Sequence, residues 1–514
     1  MENSCFVLSK VVKFIKDKLK LSQYGATFWA GIVAGLLAHG FALTNKLVCL
    51  SDVEHFFEKG ATITSGRWFL PVLSVIFPDF SMPWIYGFLT IVLYTVSACI
   101  IVKIFEINNP VLKGLVGALT VTFPCVTATI GHMFTSIAYG VTFLLAAVGF
   151  FLIKDKFSYK SIIGVVCLTL SMGIYQAYIS VVACFAIIYL AEKLFDGKEK
   201  TKSIINIAIR ILVSIAISSA LYFIIMKLSL AFVNGELSSY ANSALKGSEP
   251  LKSTIVCMFL FYIRTFFEGS YGLIPTTFSK ILHISCLAFV AVFVIIWLFK
   301  KEKLINKFLM LVLIGFYPAA VNLLFVISST YSCHILTMYS YATLYLVVII
   351  IIERLFTDCK SKLIFVLKEI SSVVLVCIVI SNVYVANEAY LDYKLRYENL
   401  YSYYTQVITQ VKMQPEFTAD TKIAIIGTTD DIPEFYSKFG NVNGMRGINE
   451  FTPNVFNRDL FIEYYIGIDA DFASKEEKRK LCQTDEFKKM PTYPDYGSIK
   501  CIDNCIVVKL GELN

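Results

Sequence analysis

Charged side chains are scarce in this sequence. Asp, Glu, Lys and Arg make up 16% of the 514 residues, whereas 57% of the residues are hydrophobic. Water-soluble chains carry about 25% charged residues, so this composition excludes an ordinary set of soluble domains. It predicts an α-helical polytopic membrane protein with the lipid bilayer as its first partner.

Several patterns that carry cofactor chemistry are missing. The GxGxxG spacing of dinucleotide sites is absent around Gly427, where a strand and a turn are predicted. Histidine occurs five times, and dense sets of His and Cys ligands are lacking. We therefore expect no resident metal and no certain cofactor, although Asp52 and Glu54 are hard ligands that, with a substrate phosphate, could hold a divalent cation.

The fourteen cysteines do not form the pattern of a disulfide framework. Eleven of them lie before residue 386, mostly inside apolar runs, where a thiol behaves as a small hydrophobic group. The other three, Cys482, Cys501 and Cys505, lie in a polar tail. One pair of these could be bridged in an oxidising compartment, and the sequence leaves this open.

Positive charge is concentrated in the apolar part of the chain. Residues 386–514 hold 15 Lys and Arg against 20 Asp and Glu, so the net charge of +8 becomes −5 for the tail and +13 for residues 1–385. Nucleic acid does not explain this distribution, but short cytoplasmic loops that face anionic lipid do. Residues 1–24, with five lysines, are predicted to be a retained cytoplasmic amphipathic segment.

Apolar runs of about 20 residues predict the membrane spans, and flanking Lys and Arg predict the sides. Residues 161–192 are one apolar run with basic flanks at both ends, so we expect two short helices with a turn near 171–180. Residues 66–78 are predicted to be a short interfacial helix, and 253–280 an outer interfacial or re-entrant segment. About eleven spans result, within 25–385: 25–44, 83–102, 114–130, 134–153, two in 161–192, one from 204, 281–299, 306–327, 337–353 and 363–385.

This topology puts the N-terminus inside the cell, and it puts both loop 44–82 and the tail 386–514 outside. The tail begins with a polar, tyrosine-rich stretch that is typical of a helix. TKIAIIG and CIVVKL then read as buried strands, so a small extracytoplasmic α/β domain is predicted.

Charge inside the bilayer is expensive and usually functional, and the predicted spans contain little of it. Arg210, Lys227 and Glu353 lie near span ends, where extension towards the interface is the simplest interpretation. An ion-coupled carrier would place acids near the midplane, so we do not favour one. Polar and aromatic residues instead gather at the outer ends: Asp52, Glu54, Arg67, Trp68, His132, Tyr175, Gln176, Arg264 and His334.

Two stretches resemble a known family. These stretches are SDVEHFFEKGATITSGRWFLP, residues 51–71, and GIYQAYIS, residues 173–180. Both are similar to the bacterial glucosyl transferase II family, the phage-type serotype-converting glucosyltransferases. The resemblance implies a GT-C type membrane fold. It also implies transfer of glucose from undecaprenyl phosphate to a cell-envelope glycan, at the outer face of the cell membrane.

The resemblance makes Asp52 the candidate catalytic base. Relatives often have two adjacent acids, whereas this chain has Asp52-Val53-Glu54, so Glu54 is an alternative base or a helper. Arg67 could hold the departing phosphate, or Ser65-Gly66-Arg67-Trp68 could be a helix start with Trp68 as an interfacial anchor.

The remaining candidates have equally simple structural interpretations. Tyr175 and Gln176 suit sugar stacking and hydroxyl recognition, or they satisfy backbone groups in a turn between two helices. His132 and His334 sit at predicted outer turns, where a lone histidine is often structural. Arg264 is a possible substrate contact on the outer segment 253–280.

Two other functions fit the composition. A flippase or exporter of lipid-linked sugars would need a polar path through the spans but no catalytic base. A scaffold would present the tail to other envelope proteins. We favour an inverting hexosyltransferase that uses a polyprenyl-phosphate sugar as donor and a cell-envelope glycan as acceptor.

Overall fold

The computed structural model describes most of the apolar part of the chain and parts of the tail. The described residues are 23–47, 53, 62–77, 80–155, 157–238, 251–268, 273–299, 302–324, 335–358, 362–418, 420–428, 439, 442 and 458–512. They divide into a helical unit, which holds most residues before Asn387, and a second unit, which holds most residues from Glu388 onwards.

The helical unit is built from long apolar helices joined by short breaks, and the last of them continues past Asn387 into the second unit. In chain order they are α1 Gly25–Thr44, α2 Leu70–Ser74, α3 Pro83–Ile104, α4 Pro110–Thr122, α5 Pro124–Gly131, α6 Met133–Ile153, α7 Tyr159–Ile174, α8 Ile179–Asp196, α9 Thr201–Phe232, α10 Leu251–Phe267, α11 Thr277–Leu298, α12 Leu304–Val321, α13 Thr343–Asp358 and α14 Lys362–Lys412. Three short 3₁₀ segments accompany them: Gln176–Tyr178, Ile335–Thr337 and Tyr339–Ala342.

Local sequence explains where these helices begin and end. Proline occupies the first turn of α3, α4 and α5, where its missing N–H costs nothing. The side chain of Asn109 caps α4 by accepting hydrogen bonds from the backbone N–H groups of Val111 and Leu112. Gly197, with φ of 62°, ends α8 in the left-handed conformation that glycine adopts without strain.

Eight helices among the described residues are long and apolar enough to cross a membrane. The bent pair α4 and α5, whose axes differ by 41°, makes a ninth if it is counted as one span. The structure therefore confirms a mostly helical fold with several candidate membrane spans, while the count of eleven and the sidedness of the loops stay predictions. The difference lies in segments that form shorter helices, such as Tyr159–Ile174, with 16 residues.

The apolar run 161–192 is broken as predicted. α7 ends at Ile174, Tyr175 has an extended backbone, and the chain resumes in the 3₁₀ segment and α8.

Two other predicted segments differ from expectation. In the predicted segment 66–78 the helix is shorter, Leu70–Ser74, and Pro78 lies outside the described residues. The last predicted span, 363–385, is also different, because α14 continues to Lys412 without a break.

Glu353 does not extend towards the interface as we expected. Its side chain is 8% exposed and accepts hydrogen bonds from the backbone N–H groups of Asn108 and Asn109, at 2.8 and 3.3 Å. The next residue, Arg354, pairs with Glu192 on α8. These two side chains therefore tie α13 to the loop before α4 and to α8.

The second unit contains a three-stranded sheet, which confirms the predicted small sheet in the tail. Its strands are β1 Lys422–Ile426, β2 Ile499–Ile502 and β3 Cys505–Lys509, in the order β1-β3-β2. β3 lies in the centre, parallel to β1 and antiparallel to β2. Short helices pack on it: α15 Arg458–Phe461, α16 Lys475–Gln483 and α17 Asp485–Lys489, with a π-helical turn at Ile462–Ile466.

A buried arginine holds one edge of this sheet. Arg458 is 1% exposed, and its guanidinium donates hydrogen bonds to the carbonyl oxygens of Ile425 and Gly427. The neighbouring carboxylate of Asp459 pairs with Arg458 and Lys478. The buried positive charge is thus paired and hydrogen-bonded, as a stable buried charge requires.

The three tail cysteines are free thiols in the structure. Burial raises the pKa of Cys505 to about 11, so its reactive thiolate form is scarce at neutral pH. Cys482 packs at the edge of the core formed by residues such as Phe487 and Val507.

The first helices of the bundle approach one another through glycines. A Cβ atom at Gly117 would lie 2.1 Å from the carbonyl oxygen of Thr27 on α1, whereas a Cβ atom at Gly114 would lie 3.6 Å from its nearest neighbour, the Cβ of Ala30. Small residues allow this close approach between membrane helices. The contact between α1 and α4 therefore depends on Gly117 more than on Gly114.

We expect Gly117→Ala to destabilise the protein by about 1–3 kcal/mol, because the added methyl group forces the two helices apart. Gly114→Ala is the matched control on the same helix, and it should leave the stability unchanged or slightly higher. The midpoint of thermal unfolding in detergent measures both. Equal midpoints for the two variants would contradict the packing described here.

Candidate functional site

The two stretches that carry the family resemblance lie against each other. The backbone N–H of Phe69 donates a 2.9 Å hydrogen bond to the carbonyl oxygen of Gly173. A Cβ atom at Gly173 would lie 2.7 Å from two ring atoms of Trp68. The segment after the first span is therefore fitted against the end of α7, where the chain breaks.

Arg67 and Tyr175 meet at this contact. The guanidinium carbon of Arg67 is 5.0 Å from the centroid of the Tyr175 ring, a distance typical of a cation–π interaction. Arg67 is half-buried, while Tyr175 is 6% exposed. The structure thus places a positive charge at the face of a buried aromatic ring.

Gln176 and Tyr222 hold the backbone turn before Arg67. The Gln176 side-chain amide donates to the Tyr222 hydroxyl at 2.8 Å, and that hydroxyl donates to the carbonyl oxygen of Gly66 at 3.1 Å. The Gln176 amide also lies 3.5 Å from the carbonyl oxygen of Ser65. We call Arg67, Trp68, Tyr175, Gln176 and Tyr222 the Arg67 site.

Gly66 is required in this arrangement for two reasons. Its φ of +77° is a conformation that residues with a side chain rarely adopt. A Cβ atom there would also lie 2.9 Å from the Tyr222 hydroxyl and 3.0 Å from the Gln176 amide. The Ser-Gly-Arg-Trp sequence therefore forms a tight turn that is packed against α9, and the short helix α2 begins only at Leu70.

Buried tyrosines extend from the Arg67 site into the bundle. The ring of Tyr175 lies 4.4 Å from that of Tyr139 and 6.3 Å from that of Tyr178, and Tyr178 lies 5.8 Å from Tyr339. The hydroxyls of Tyr178 and Tyr94 are hydrogen-bonded to each other. These rings form a continuous aromatic wall behind Arg67.

The other candidates lie elsewhere or outside the described residues. His132 is half-buried at the break between α5 and α6, and its Nδ1 lies 3.1 Å from the carbonyl oxygen of Ala128. Arg264 is exposed on α10 and forms an ion pair with Glu268 at 3.8 Å. Asp52, Glu54 and His334 lie outside the described residues.

The sequence alone did not indicate Tyr222 or Tyr339. Tyr222 stands in the middle of an apolar run, and only its contact with Gly66 shows its part in the turn. Tyr178 lies inside the quoted GIYQAYIS stretch but is not among the predicted site residues, and its contacts with Tyr175 and Tyr339 appear only in the fold.

Among the residues that the structure describes, no group of three or more His, Cys, Asp or Glu side chains could hold a metal ion. The carboxylates of Asp52 and Glu54 fall outside this set. The described part of the Arg67 site offers a cation, an amide, an indole and phenols, which suit a phosphate and a sugar more than a metal ion.

Comparison with known families identifies the chain. Residues 40–351, more than half of its length, match the family described as Glucosyl transferase GtrII. The chain belongs to this family. The resemblance inferred from residues 51–71 and 173–180 is therefore confirmed, and membership makes the protein a glycosyltransferase that acts on glucose. No curated protein and no solved structure matches the chain.

The family match covers the whole Arg67 site and every candidate residue, whereas the tail from Glu388 onwards lies outside it. The two family-like stretches are more than a hundred positions apart in sequence but touch in the fold. Their contact therefore belongs to the part of the chain that the family shares.

We expect Tyr222→Phe to destabilise the protein by about 1–3 kcal/mol, since it leaves the Gln176 amide and the Gly66 carbonyl without a common partner. Tyr384→Phe is the control, because Tyr384 is 73% exposed and should tolerate loss of its hydroxyl. Thermal unfolding in detergent gives both values. An unchanged midpoint for Tyr222→Phe would show that the turn does not depend on this hydroxyl.

Proposed function

We propose that the protein transfers glucose from a polyprenyl phosphate to a cell-envelope glycan at the outer face of the membrane, with inversion at the anomeric carbon. The observation that supports this most directly is the position of Arg67 at the edge of a buried aromatic wall. An arginine can hold a phosphate through two parallel hydrogen bonds, and aromatic faces suit the apolar faces of a sugar.

In the proposed reaction, Asp52 accepts the proton of an acceptor hydroxyl as that oxygen attacks C1 of glucose. The bond between C1 and the phosphate oxygen breaks at the same time, and its electron pair leaves with the polyprenyl phosphate. Arg67 stabilises the charge that develops on this phosphate. The glycosyl phosphate bond of the donor supplies the driving force, so the proposed step names no reactant besides donor and acceptor.

Trp68 would contact a substrate, and Gln176 would position Arg67. The indole N–H of Trp68 is buried and has no hydrogen-bond acceptor among the described residues, so a sugar or phosphate oxygen is a suitable partner. Gln176 keeps the turn in place through Gly66 and Tyr222. The proposed step uses neither His132, which is bonded to the carbonyl oxygen of Ala128, nor Arg264, which pairs with Glu268.

Asp52→Asn should lower the rate of glucose transfer by about 10²–10⁴-fold, because the amide cannot take the acceptor proton. Glu58→Gln is the control in the same stretch and should keep the rate within about twofold. Glu54→Gln decides whether the second acid helps. The measurement is the transfer of radiolabelled glucose from polyprenyl phosphate to envelope glycan in reconstituted vesicles.

The same vesicles separate the enzyme from its alternatives. Covalent labelling of glycan supports the transferase, whereas movement of labelled donor across the bilayer without labelling would support a flippase. Wild-type transfer by Asp52→Asn would refute the assignment of the base. A protein that does neither but loses envelope partners on deletion of residues 386–514 would be a scaffold.

Arg67→Lys should raise the KM for the donor by about tenfold, because lysine keeps the charge but loses the bidentate geometry. A smaller change in kcat is expected, since the charge on the leaving phosphate is still neutralised. Arg479→Lys, an exposed position in α16, is the control. An unchanged KM for Arg67→Lys would remove Arg67 from the donor site.

A further inference from the structure

Tyr139 on α6 is a buried tyrosine that the proposed reaction does not use. It is 4% exposed, and its ring centroid lies 4.4 Å from that of Tyr175, with an angle of 31° between the two ring planes. The guanidinium carbon of Arg67 lies 5.0 Å from the centroid of the same Tyr175 ring. Two contacts therefore link Tyr139 to Arg67, and Tyr175 takes part in both.

The ring of Tyr175 depends on its neighbours for its orientation. Tyr175 lies at the break between α7 and the 3₁₀ segment, where its backbone is extended, with φ of −154° and ψ of 113°. In extended backbone, as in strands, more than one side-chain rotamer is common, so the contacts around the ring decide which one is adopted. Among the described tyrosines, Tyr139 contacts this ring at 4.4 Å and Tyr178 at 6.3 Å. Tyr139 is the closer support.

A reciprocal pair of hydrogen bonds sets the position of α6 along α7. The Ser171 hydroxyl donates to the carbonyl oxygen of Thr142 at 3.0 Å, and the Thr142 hydroxyl donates to the carbonyl oxygen of Ser171 at 3.4 Å. Both residues are buried. Thr142 comes three positions after Tyr139, and Ser171 comes four positions before Tyr175. The two bonds therefore fix the helices close to both rings.

α3 holds α6 from another side. The Thr90 hydroxyl donates to the Ser136 hydroxyl at 3.0 Å, and a Cβ atom at Gly140 would lie 3.0 Å from two atoms of the Leu93 side chain. These residues are the near neighbours of Tyr139 along α6. Because α6 is packed closely between two helices, Tyr139 is a rigid support for the ring of Tyr175.

The orientation of Arg67 matters more than its charge alone. A guanidinium is planar, and it binds a phosphate through two parallel N–H groups only when its plane is correctly turned. The ammonium of lysine is a point charge and has no such requirement. Since the guanidinium of Arg67 rests on the Tyr175 ring, a shift of this ring turns the guanidinium away from the phosphate.

We propose that Tyr139 is a positioning residue: it holds the Tyr175 ring, and through this ring it orients the guanidinium of Arg67 for the donor phosphate. This inference rests on the proposed function, because that function assigns the donor phosphate to Arg67. Tyr139 acts without touching the substrate. The aromatic ring carries the role, so phenylalanine can replace Tyr139 but an aliphatic side chain cannot.

The test compares the loss of two buried rings from the same helix. Tyr139→Leu removes the support, and Tyr139→Phe keeps the ring. Phe150 lies eleven positions further along α6, about 16 Å away, is 0% exposed, and packs on Phe185 and Tyr189 at 5.8 and 6.1 Å. Phe150→Leu is therefore the matched control for a loss of packing that does not involve Arg67.

Each variant is assayed for glucose transfer with Arg67 present and in the Arg67→Lys background. With Arg67 present, Tyr139→Leu should raise the KM for the donor about three- to tenfold, with a smaller change in kcat, because a cation–π contact is disturbed. In the Arg67→Lys background it should change this KM less than about twofold, since the ammonium has no plane to orient. Tyr139→Phe should behave as the wild type.

Phe150→Leu should lower the midpoint of thermal unfolding and leave the KM unchanged in both backgrounds. An equal rise in KM with Arg67 and with lysine would make Tyr139 merely structural and overturn the proposal. So would an unchanged KM in Tyr139→Leu, or an equal rise in Phe150→Leu. Tyr139→Met, which keeps a long apolar side chain, takes the place of Tyr139→Leu if the leucine variant does not fold.

The reaction of Arg67 with phenylglyoxal reports its position without turnover. Full-length protein in phospholipid nanodiscs is modified, and the labelled peptides are measured by mass spectrometry. Tyr139→Leu should speed the modification of Arg67 at least about threefold, because the guanidinium loses its support. Tyr139→Phe should not change this rate. Arg264, which is exposed, is the reference within each sample.

An unchanged rate at Arg67 in Tyr139→Leu, or an equal increase in Phe150→Leu, would refute the positioning role. A wild-type protein that transfers no glucose from polyprenyl phosphate would refute the proposed function alone. The modification of Arg67 would then still decide whether Tyr139 orients it.

Discussion

The carbonyl oxygen of Gly173 is the group on which the arrangement of the site depends. The helix stops at Tyr175, so the carbonyls of its last turn lose their partners inside the helix. Gly173 is buried in the protein, so water does not replace those partners, and an unsatisfied buried backbone group costs about 1–3 kcal/mol. The backbone N–H of Phe69 meets this need at 2.9 Å. The broken span thus holds the segment that carries Arg67.

The hydrogen bond between Phe69 and Gly173 joins distant segments, and this explains why some features could be predicted from the sequence and others could not. The break in residues 161–192 follows from length and from basic flanks at both ends. The small sheet in the tail follows from two short β-branched runs. Both are local or nearly local properties, and both were predictable. The two family-like stretches could also be recognised, but nothing in either of them states that Phe69 binds Gly173.

The missed features are long-range pairings. Tyr222 joins the site through a hydrogen bond to Gly66, 156 positions earlier, and one sequence gives no sign of such a partner. Glu353 was expected to extend towards the interface, because a carboxylate near a span end usually does. The structure instead gives it two backbone N–H donors in the loop before α4. A buried charge is predictable only once its partner is known.

The Phe69–Gly173 and Tyr222–Gly66 bonds also have a consequence for biogenesis. A ribosome releases the chain from its N-terminus, so residues 65–69 are delivered to the membrane long before α7 and α9 exist. Their backbone partners arrive only after several further helices have been inserted. The Arg67 site is therefore assembled late in synthesis, and a chain truncated before α9 lacks the tyrosine that holds its turn.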